Sequence, residues 1–226
     1  MLIEIYSDFA CPFCYIGKTN LEQALKDFAH KDDVTIVYKS FQLNPNAPKH
    51  TDLNAYDLFA KSHGMKVEDA KARLNQIQNH AKTSGLTFNY DIMKMTNTID
   101  AHRLYKYAQT KTDSKNLMDA LLKGYFTEGA DLSNKEDLLT IAQSNGLNED
   151  EVRKLLESDD YFNDVENDVK EAHSLGINSV PFFVIDKKYG ISGGQPKEYF
   201  LQALDQIHQE SQIEEPENMS CGIDGC

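Results

Sequence analysis

A pair of cysteines, Cys11 and Cys14, constrains this chain more than any other feature. The motif Cys11-Pro12-Phe13-Cys14 follows an apolar run at residues 2–6 and precedes a helical pattern, so we predict a strand that leads directly into a helix. Cysteines in this spacing lie within disulfide reach, and the helix dipole favours a negative charge on the first of them. The arrangement is typical of redox chemistry.

The two cysteines are predicted to have different roles. Cys11 would lie at the helix N-cap and Pro12 at the first helical position, where a missing N–H costs nothing. Free N–H groups at this end stabilise a thiolate, which makes Cys11 the better nucleophile and leaving group. Cys14, one turn into the helix, would face inward and resolve a mixed disulfide. Spacing alone leaves open an inert buried pair or half of a zinc site, since C-x-x-C is also a metal spacing.

Composition narrows the class of protein. A chain of 226 residues can hold one large domain, or one domain with a substantial insertion, and four cysteines are too few for a fold built from disulfides. The net charge of −13 argues against nucleic acid and anionic membrane surfaces as partners. The sequence contains no transmembrane run or signal-peptide pattern, so we expect a cytoplasmic protein. In that compartment a C-x-x-C pair is expected to alternate between dithiol and disulfide rather than to form a permanent structural disulfide.

The order of predicted elements is that of a thioredoxin fold interrupted in its middle. Residues 1–48 predict strand, helix and strand, and residues 176–208 predict two antiparallel strands and a helix. Between them, residues 49–175 are helical in almost every stretch. The strands are expected at 2–6, 34–38, 182–185 and 191–192, with helices at 16–29 and 197–208. Inside the insertion, helices are expected at 55–62, 67–84, 97–110, 115–126, 135–144, 149–157 and 161–175. The predicted class is therefore α/β with a large all-helical insertion.

Four segments together carry a family resemblance: the Cys11–Cys14 motif, residues 97–104, residues 176–181 and residues 191–195. This set resembles the DsbA-like thioredoxin-fold family, and within it the cytoplasmic FrnE-type dithiol-disulfide oxidoreductases, over residues 2–208. The departures are Pro-Phe between the cysteines, where relatives often carry Pro-Trp, and Gly194, where Ala is common. The resemblance implies a thiol-disulfide oxidoreductase or isomerase that needs no metal or organic cofactor.

The resemblance also marks Val180-Pro181 as a cis-proline site beside the cysteines. A cis bond would leave the backbone of Val180 able to pair with an extended substrate. The residues themselves predict an ordinary trans proline at the start of a strand, since few X-Pro bonds are cis. Pro12 and Phe13, between the cysteines, are further candidates for substrate contact.

Four more residues are candidates for substrate contact. His102 could shuttle a proton or orient a substrate, and Arg103 could hold a carboxylate. The alternative is that both are structural residues of a helix. Gly193 and Gln195 belong to a segment whose glycine pair would let a ligand backbone approach closely, although it could equally be a turn before the last helix.

Residues 209–226 are predicted to form an acidic flexible tail that ends in a C-x4-C motif, Cys221 to Cys226. These two cysteines are candidates for an auxiliary redox pair that exchanges with Cys11. An uninvolved tail, or a zinc site shared with Cys11 and Cys14, are the alternatives.

These observations predict a dithiol-disulfide oxidoreductase that acts on disulfide-containing proteins, peptides or small molecules, as a monomer or homodimer. Glutathione, a candidate co-substrate, or a thioredoxin-like partner would supply reducing equivalents. Two other classes stay open. One is a kappa-type glutathione-dependent isomerase or transferase, although such relatives typically carry Ser in place of the first cysteine. The other is a redox-sensing binding or adaptor protein.

Overall fold

The chain builds a mixed β-sheet in the part that the structure describes. This computed structural model describes residues 1–111 and 114–214. The strands are β1 (Leu2–Ser7), β2 (Thr35–Ser40), β3 (Phe182–Ile185) and β4 (Tyr189–Ser192). Their order is β2-β1-β3-β4, with β1 parallel to β2 and antiparallel to β3, and β3 antiparallel to β4. The predicted thioredoxin-like α/β fold is confirmed.

Strand β1 lies in the middle of the sheet because both of its edges are paired. Ser7 lies opposite Ser40 in β2, and Ile5 lies opposite Phe183 in β3. Ile3 and Ile5 on one face of β1 and Glu4 and Tyr6 on the other are all buried, as expected for a strand covered on both faces. The segment that carries Cys11 therefore begins at the carboxyl end of an inner strand of the sheet.

Two helices from opposite ends of the chain pack together against this sheet. Helix α1 spans Pro12–Asp27 and a C-terminal helix spans Lys197–Glu214. The ring of Phe200 on the C-terminal helix lies 4.8 Å from that of Phe183. A short 3-10 turn, Lys31–Asp33, connects α1 to β2.

The C-terminal helix is longer than predicted. It includes residues 209–214, which the sequence analysis assigned to the tail. Part of the reason is a long-range contact, because the Tyr189 hydroxyl donates to Glu210 Oε2 at 2.5 Å. Cys221 and Cys226 lie outside the described residues.

The insertion is helical, as predicted. Its helices are α2 (Ala55–His63), α3 (Val67–Thr83), α4 (Ile99–Gln109), α5 (Lys115–Lys123), α6 (Lys135–Ser144), α7 (Glu149–Glu157) and α8 (Phe162–Ser174), which makes the C-terminal helix α9. The predicted helix at 115–126 ends early, and the chain forms a π-helical turn at Gly124–Glu128 that closes at Gly129 with a φ of 75°. Within residues 1–111 and 114–214, no helix is both long and apolar enough to cross a membrane.

An ionic network centred on the buried Asp168 fixes the insertion to the sheet. Asp168 on α8 accepts a hydrogen bond from the Ser40 backbone N–H at 2.7 Å and pairs with Lys106 on α4. Lys39 on β2 lies 2.8 Å from Glu171 on α8 and 3.7 Å from Glu4 on β1. Removing the lysine partners of Asp168 would leave an uncompensated buried charge, so α8 is held at one position on β2.

Candidate functional site

Cys11 and Cys14 lie where strand β1 passes into helix α1, and both are free thiols. Cys11 is the N-cap of α1, with extended backbone, and Pro12 is the first helical residue, as predicted. The Cys11 thiol is only 3% exposed and donates to the backbone carbonyl of Val180 at 3.4 Å. Cys14 is 2% exposed, and its sulfur accepts the Asp8 backbone N–H at 3.5 Å. The two cysteines therefore differ in position as the motif predicts.

Burial keeps Cys14 protonated. It raises the pKa of the Cys14 thiol well above its ordinary value, and the neighbouring Cys11 raises it further, while Ser7 and the Asp8 N–H oppose the shift. Cys11 instead is the N-cap residue of α1, at the positive end of the helix dipole. The geometry therefore makes Cys11 the candidate attacking sulfur and Cys14 the candidate resolving one.

The Val180–Pro181 peptide bond is cis, as the family resemblance implied. Its position beside the cysteines is set by the Cys11–Val180 hydrogen bond and by a second one, from the Gly193 N–H to the Pro181 carbonyl at 2.8 Å. Gly193 thus helps to hold the proline segment in place.

The glycine pair at 193–194 serves contacts within the protein. A Cβ atom at Gly194 would lie 2.9 Å from the carbonyl oxygen of Phe13 and 3.3 Å from the backbone nitrogen of Gly17. Gly194 is therefore required for the close approach of this segment to α1. The Gln195 side chain donates to the Ser192 carbonyl at 2.8 Å. The predicted ligand contacts of Gly193 and Gln195 stay predictions.

Asp8 connects the cysteine loop, residues 8–11 between β1 and α1, to the rest of the fold. The sequence analysis did not single it out. Its side chain is buried, and Oδ1 accepts from Thr98 Oγ1 at 2.8 Å and from the Ala10 N–H at 3.1 Å. His102 Nε2 lies 3.3 Å from the same oxygen, and the Leu43 N–H donates to Oδ2 at 2.8 Å. The sequence signal that could have identified Asp8 is a charged residue directly after a buried strand, three positions before Cys11.

These contacts hold Asp8 in its charged form. Burial alone would raise the pKa of the Asp8 carboxyl, but the hydrogen bond and charge of His102, together with the N–H groups of Leu43 and Ala10, outweigh burial and lower it. Since both carboxylate oxygens are already occupied, Asp8 acts as an anchor for surrounding donors.

His102 and Arg103 point to different parts of the molecule. The His102 ring is buried, packs 4.8 Å from the Phe9 ring, and contacts Asp8. Arg103 donates to the carbonyls of Leu155, at 2.7 Å, and Asp160, at 2.8 Å, and it also bonds Asp100 and the Ser158 carbonyl. The structure therefore brings His102 next to the cysteine loop, whereas Arg103 is committed to the ends of α7 and α8.

Two apolar side chains near the cysteines are exposed. Phe13 is 41% exposed, with its ring edge-on to His80 of α3 at 6.1 Å, and Leu43, which bonds Asp8, also exposes its side chain. Among the described residues, no three His, Cys, Asp or Glu side chains come together as a group that could hold a metal ion.

The fold and the site define a thioredoxin-fold protein with a helical insertion and a cysteine pair at the start of its first helix. The chain belongs to the DSBA-like thioredoxin domain family, whose model matches residues 2–205. It is similar to a probable DsbA oxidoreductase from Streptomyces coelicolor, with 37% identity, a TM-score of 0.89, and coverage of 100% of this chain and 98% of the other.

Solved structures of lower sequence identity share the fold. The cytosolic disulfide reductase DsbM from Pseudomonas aeruginosa, solved with GSH, has 13% identity and a TM-score of 0.66 over 92% of this chain and 100% of its own. Among curated proteins, the uncharacterized protein YwbO of Bacillus subtilis is 24% identical over 207 residues, 89% of this chain and 94% of that protein.

Proposed function

We propose that this protein is a thiol-disulfide oxidoreductase that uses the Cys11–Cys14 pair on protein or small-molecule disulfides. The observation that carries the proposal is the unequal setting of the two thiols. Cys11 lies at the positive end of α1 beside Val180, and Cys14 is a buried thiol whose pKa is raised. An attacking thiolate and a protonated resolving thiol are what two-step disulfide exchange requires.

In the reductive direction the Cys11 thiolate attacks one sulfur of a substrate disulfide. A Cys11–substrate disulfide forms, and the other substrate sulfur leaves with the electron pair and takes up a proton. Cys14 then gives up its proton and attacks Cys11 Sγ, which releases the second substrate thiol and leaves Cys11 and Cys14 joined. The substrate has gained two electrons from the two cysteine sulfurs and two protons, one from Cys14 and one from the solvent that took up the Cys11 proton.

Val180 provides a place for the substrate backbone. In the free protein its carbonyl accepts the Cys11 S–H. Once Cys11 is bonded to a substrate sulfur, that proton is gone and the carbonyl is free to accept an N–H from an extended peptide. The exposed Phe13 ring would contact the same peptide, which favours disulfide-containing proteins and peptides as substrates.

The electron donor and cellular setting belong to the same proposal. Glutathione or a thioredoxin-like protein would reduce the Cys11–Cys14 disulfide, in the cytoplasm, without a bound metal or organic cofactor. The relative solved with GSH supports glutathione as a co-substrate. Cys221 and Cys226 remain candidates for an auxiliary pair.

Insulin reduction with glutathione as the electron source tests the proposal. Cys11→Ser should abolish the reaction, and Cys14→Ser should accumulate a Cys11 mixed disulfide that intact-mass spectrometry detects. A matched variant with Cys221→Ser and Cys226→Ser should keep the activity if the tail is uninvolved, and lose part of it if the tail relays electrons. Insulin reduction that survives Cys11→Ser would overturn the proposal.

A second candidate is a glutathione-dependent isomerase. A 2-hydroxychromene-2-carboxylate isomerase shares the fold, with 16% identity and a TM-score of 0.67 over 94% of this chain and 98% of its own. That reaction would need Cys11 with glutathione but no resolving thiol, so isomerase turnover that survives Cys14→Ser favours it. If the protein is instead a redox-sensing adaptor, the Cys11→Ser variant should still bind its partner.

A further inference from the structure

Helix α3, which contacts the cysteine motif, carries no negative charge after its first turn. Residues 70–90 contain no aspartate or glutamate, although the chain has 36 acidic residues and a net charge of −13. Residues 9–21 and 175–185, which include both cysteines and Pro181, also lack acidic residues. The basic residues of the first of these segments are Lys71, Arg73, His80 and Lys82. The segments around the cysteines therefore depart from the acidic character of the chain.

Arg73 on α3 is exposed, and its side chain has no hydrogen-bond or ion-pair partner in the described part of the chain. The other two arginines are both paired. Arg103 bonds carbonyls at the ends of α7 and α8, and Arg153 pairs with Glu136 and Glu149. A guanidinium fits a carboxylate through two parallel hydrogen bonds. An exposed arginine is ordinary by itself, so the position of Arg73 decides whether it can bind a substrate.

The two flanks of α3 face different parts of the molecule. Arg73 and His80 are seven residues apart, so they lie on the same flank, about 10 Å apart along the helix axis. The His80 ring lies 6.1 Å from the Phe13 ring, which places this flank beside the start of α1. Lys71 lies on the opposite flank, where its Nζ is 5.6 Å from the ring centroid of Tyr56 on α2.

Arg73 extends past the start of α1. Gln23, in the second half of α1, donates to the Ser84 carbonyl at the end of α3 at 3.1 Å. Phe13, in the first turn of α1, meets His80 one turn earlier in α3. Moving back along α3 therefore leads toward the N-terminal end of α1, and Arg73 lies two turns beyond His80 in this direction.

We propose that Arg73 binds a carboxylate of the substrate peptide, so that the site favours acidic residues near the substrate cysteine. A peptide held at Cys11 would pass His80 and then reach Arg73. The distance along α3 between these two side chains equals about three residues of extended chain, which places the acidic residue about four positions from the substrate cysteine. The inference rests on the proposed function, since it names the class of peptide that the same site would take.

Peptide binding tests this inference without disulfide exchange. Two fluorescent peptides each carry one cysteine blocked by S-methylation, and they differ only in glutamate or glutamine four positions to either side of it. Fluorescence polarisation measures their binding to the reduced full-length protein. The wild type should bind the glutamate peptide about fivefold more tightly, the size expected of one exposed ion pair, and Arg73→Gln should bind both peptides equally. The preference should also shrink at high salt.

Lys82→Gln is the matched control. It removes the same charge from the same helix, but Lys82 lies on the flank opposite Arg73, so the preference for glutamate should be kept. The proposal is wrong if the wild type binds the two peptides equally or binds neither, or if its preference survives Arg73→Gln. It is also wrong if Arg73→Gln weakens binding of S-methylglutathione alone, because the anion would then belong to glutathione. A failed insulin assay leaves the binding result standing, so the two proposals fail independently.

Discussion

Replacing Asp8 should show that one buried carboxylate holds the cysteine loop and helix α4 together. Asp8→Ala removes the acceptor for Thr98, His102 and the N–H groups of Ala10 and Leu43. Each donor left unpaired in a buried site costs about 1–3 kcal/mol. Because the four share one acceptor group and the loop can relax, we expect about 3–5 kcal/mol in total.

Asp8→Asn is the more informative variant because it preserves size. An amide oxygen at the Oδ1 position keeps three of the four donors, but the amide NH2 then faces the Leu43 N–H, donor against donor. The expected loss is about 1–3 kcal/mol. Both variants are measured by urea unfolding at neutral pH, followed by circular dichroism, with the exposed Asp159→Asn as a control that should stay near wild type.

The pH dependence gives a second, independent check. The folded pKa of Asp8 is lowered from its ordinary 3.8, because its hydrogen bonds outweigh burial. The charged form therefore stabilises the protein above the unfolded pKa, and that stability is lost as pH falls through the folded pKa. The gap between wild type and Asp8→Asn should begin to close below about pH 4. A gap that stays constant there, or an Asp8→Ala protein as stable as wild type, would refute the reasoning.

Other variants test the remaining contacts. Gly194→Ala should destabilise the fold by about 1–3 kcal/mol, because its Cβ would meet the Phe13 carbonyl at 2.9 Å; urea unfolding measures this, and an unchanged midpoint would contradict the packing argument. Arg103→Lys should lower stability by about 2–4 kcal/mol, since a lysine cannot reach all of its acceptors, while insulin reduction per folded molecule stays the same. In Cys11→Ser, Cys14 should react with iodoacetamide only above the pH at which an ordinary thiol does, because burial raises its pKa; easy alkylation at neutral pH would show that it is not buried in solution.

Sequence patterns predicted the fold because each element carries its own local signal. Apolar periodicity located the helices of the insertion, and the β-forming run at residues 182–185 coincides with β3. The misplaced ends depend on contacts that local patterns do not contain. The extension of α9 to Glu214 carries the contact between Tyr189 and Glu210, and the π turn after Lys123 carries a hydrogen bond from the Asn89 N–H to the Phe126 carbonyl at 2.7 Å.

The site was predictable only in part, for the same reason. The cysteines and the cis bond at Pro181 followed from the motif and the family resemblance. Asp8 was missed because its partners Thr98 and His102 lie about ninety residues away in the chain. Neighbouring polar residues on a helix look alike in a sequence, so Arg103 could not be separated from His102 until their long-range partners were known.

Helix α4 bears on how substrates reach the cysteines. His102 and Thr98 tie one side of this helix to Asp8, and Arg103 ties the other side to the ends of α7 and α8. A rigid-body movement of the whole insertion away from the sheet would break both sets of hydrogen bonds at once. Widening of the entrance should therefore cost less at the α2–α3 hairpin, which meets Phe13 through the ring edge of His80 and meets helix α1 again through a hydrogen bond from Gln23 to the Ser84 carbonyl at 3.1 Å. A bulky protein substrate would be admitted by the movement of two helices while the rest of the molecule stays still.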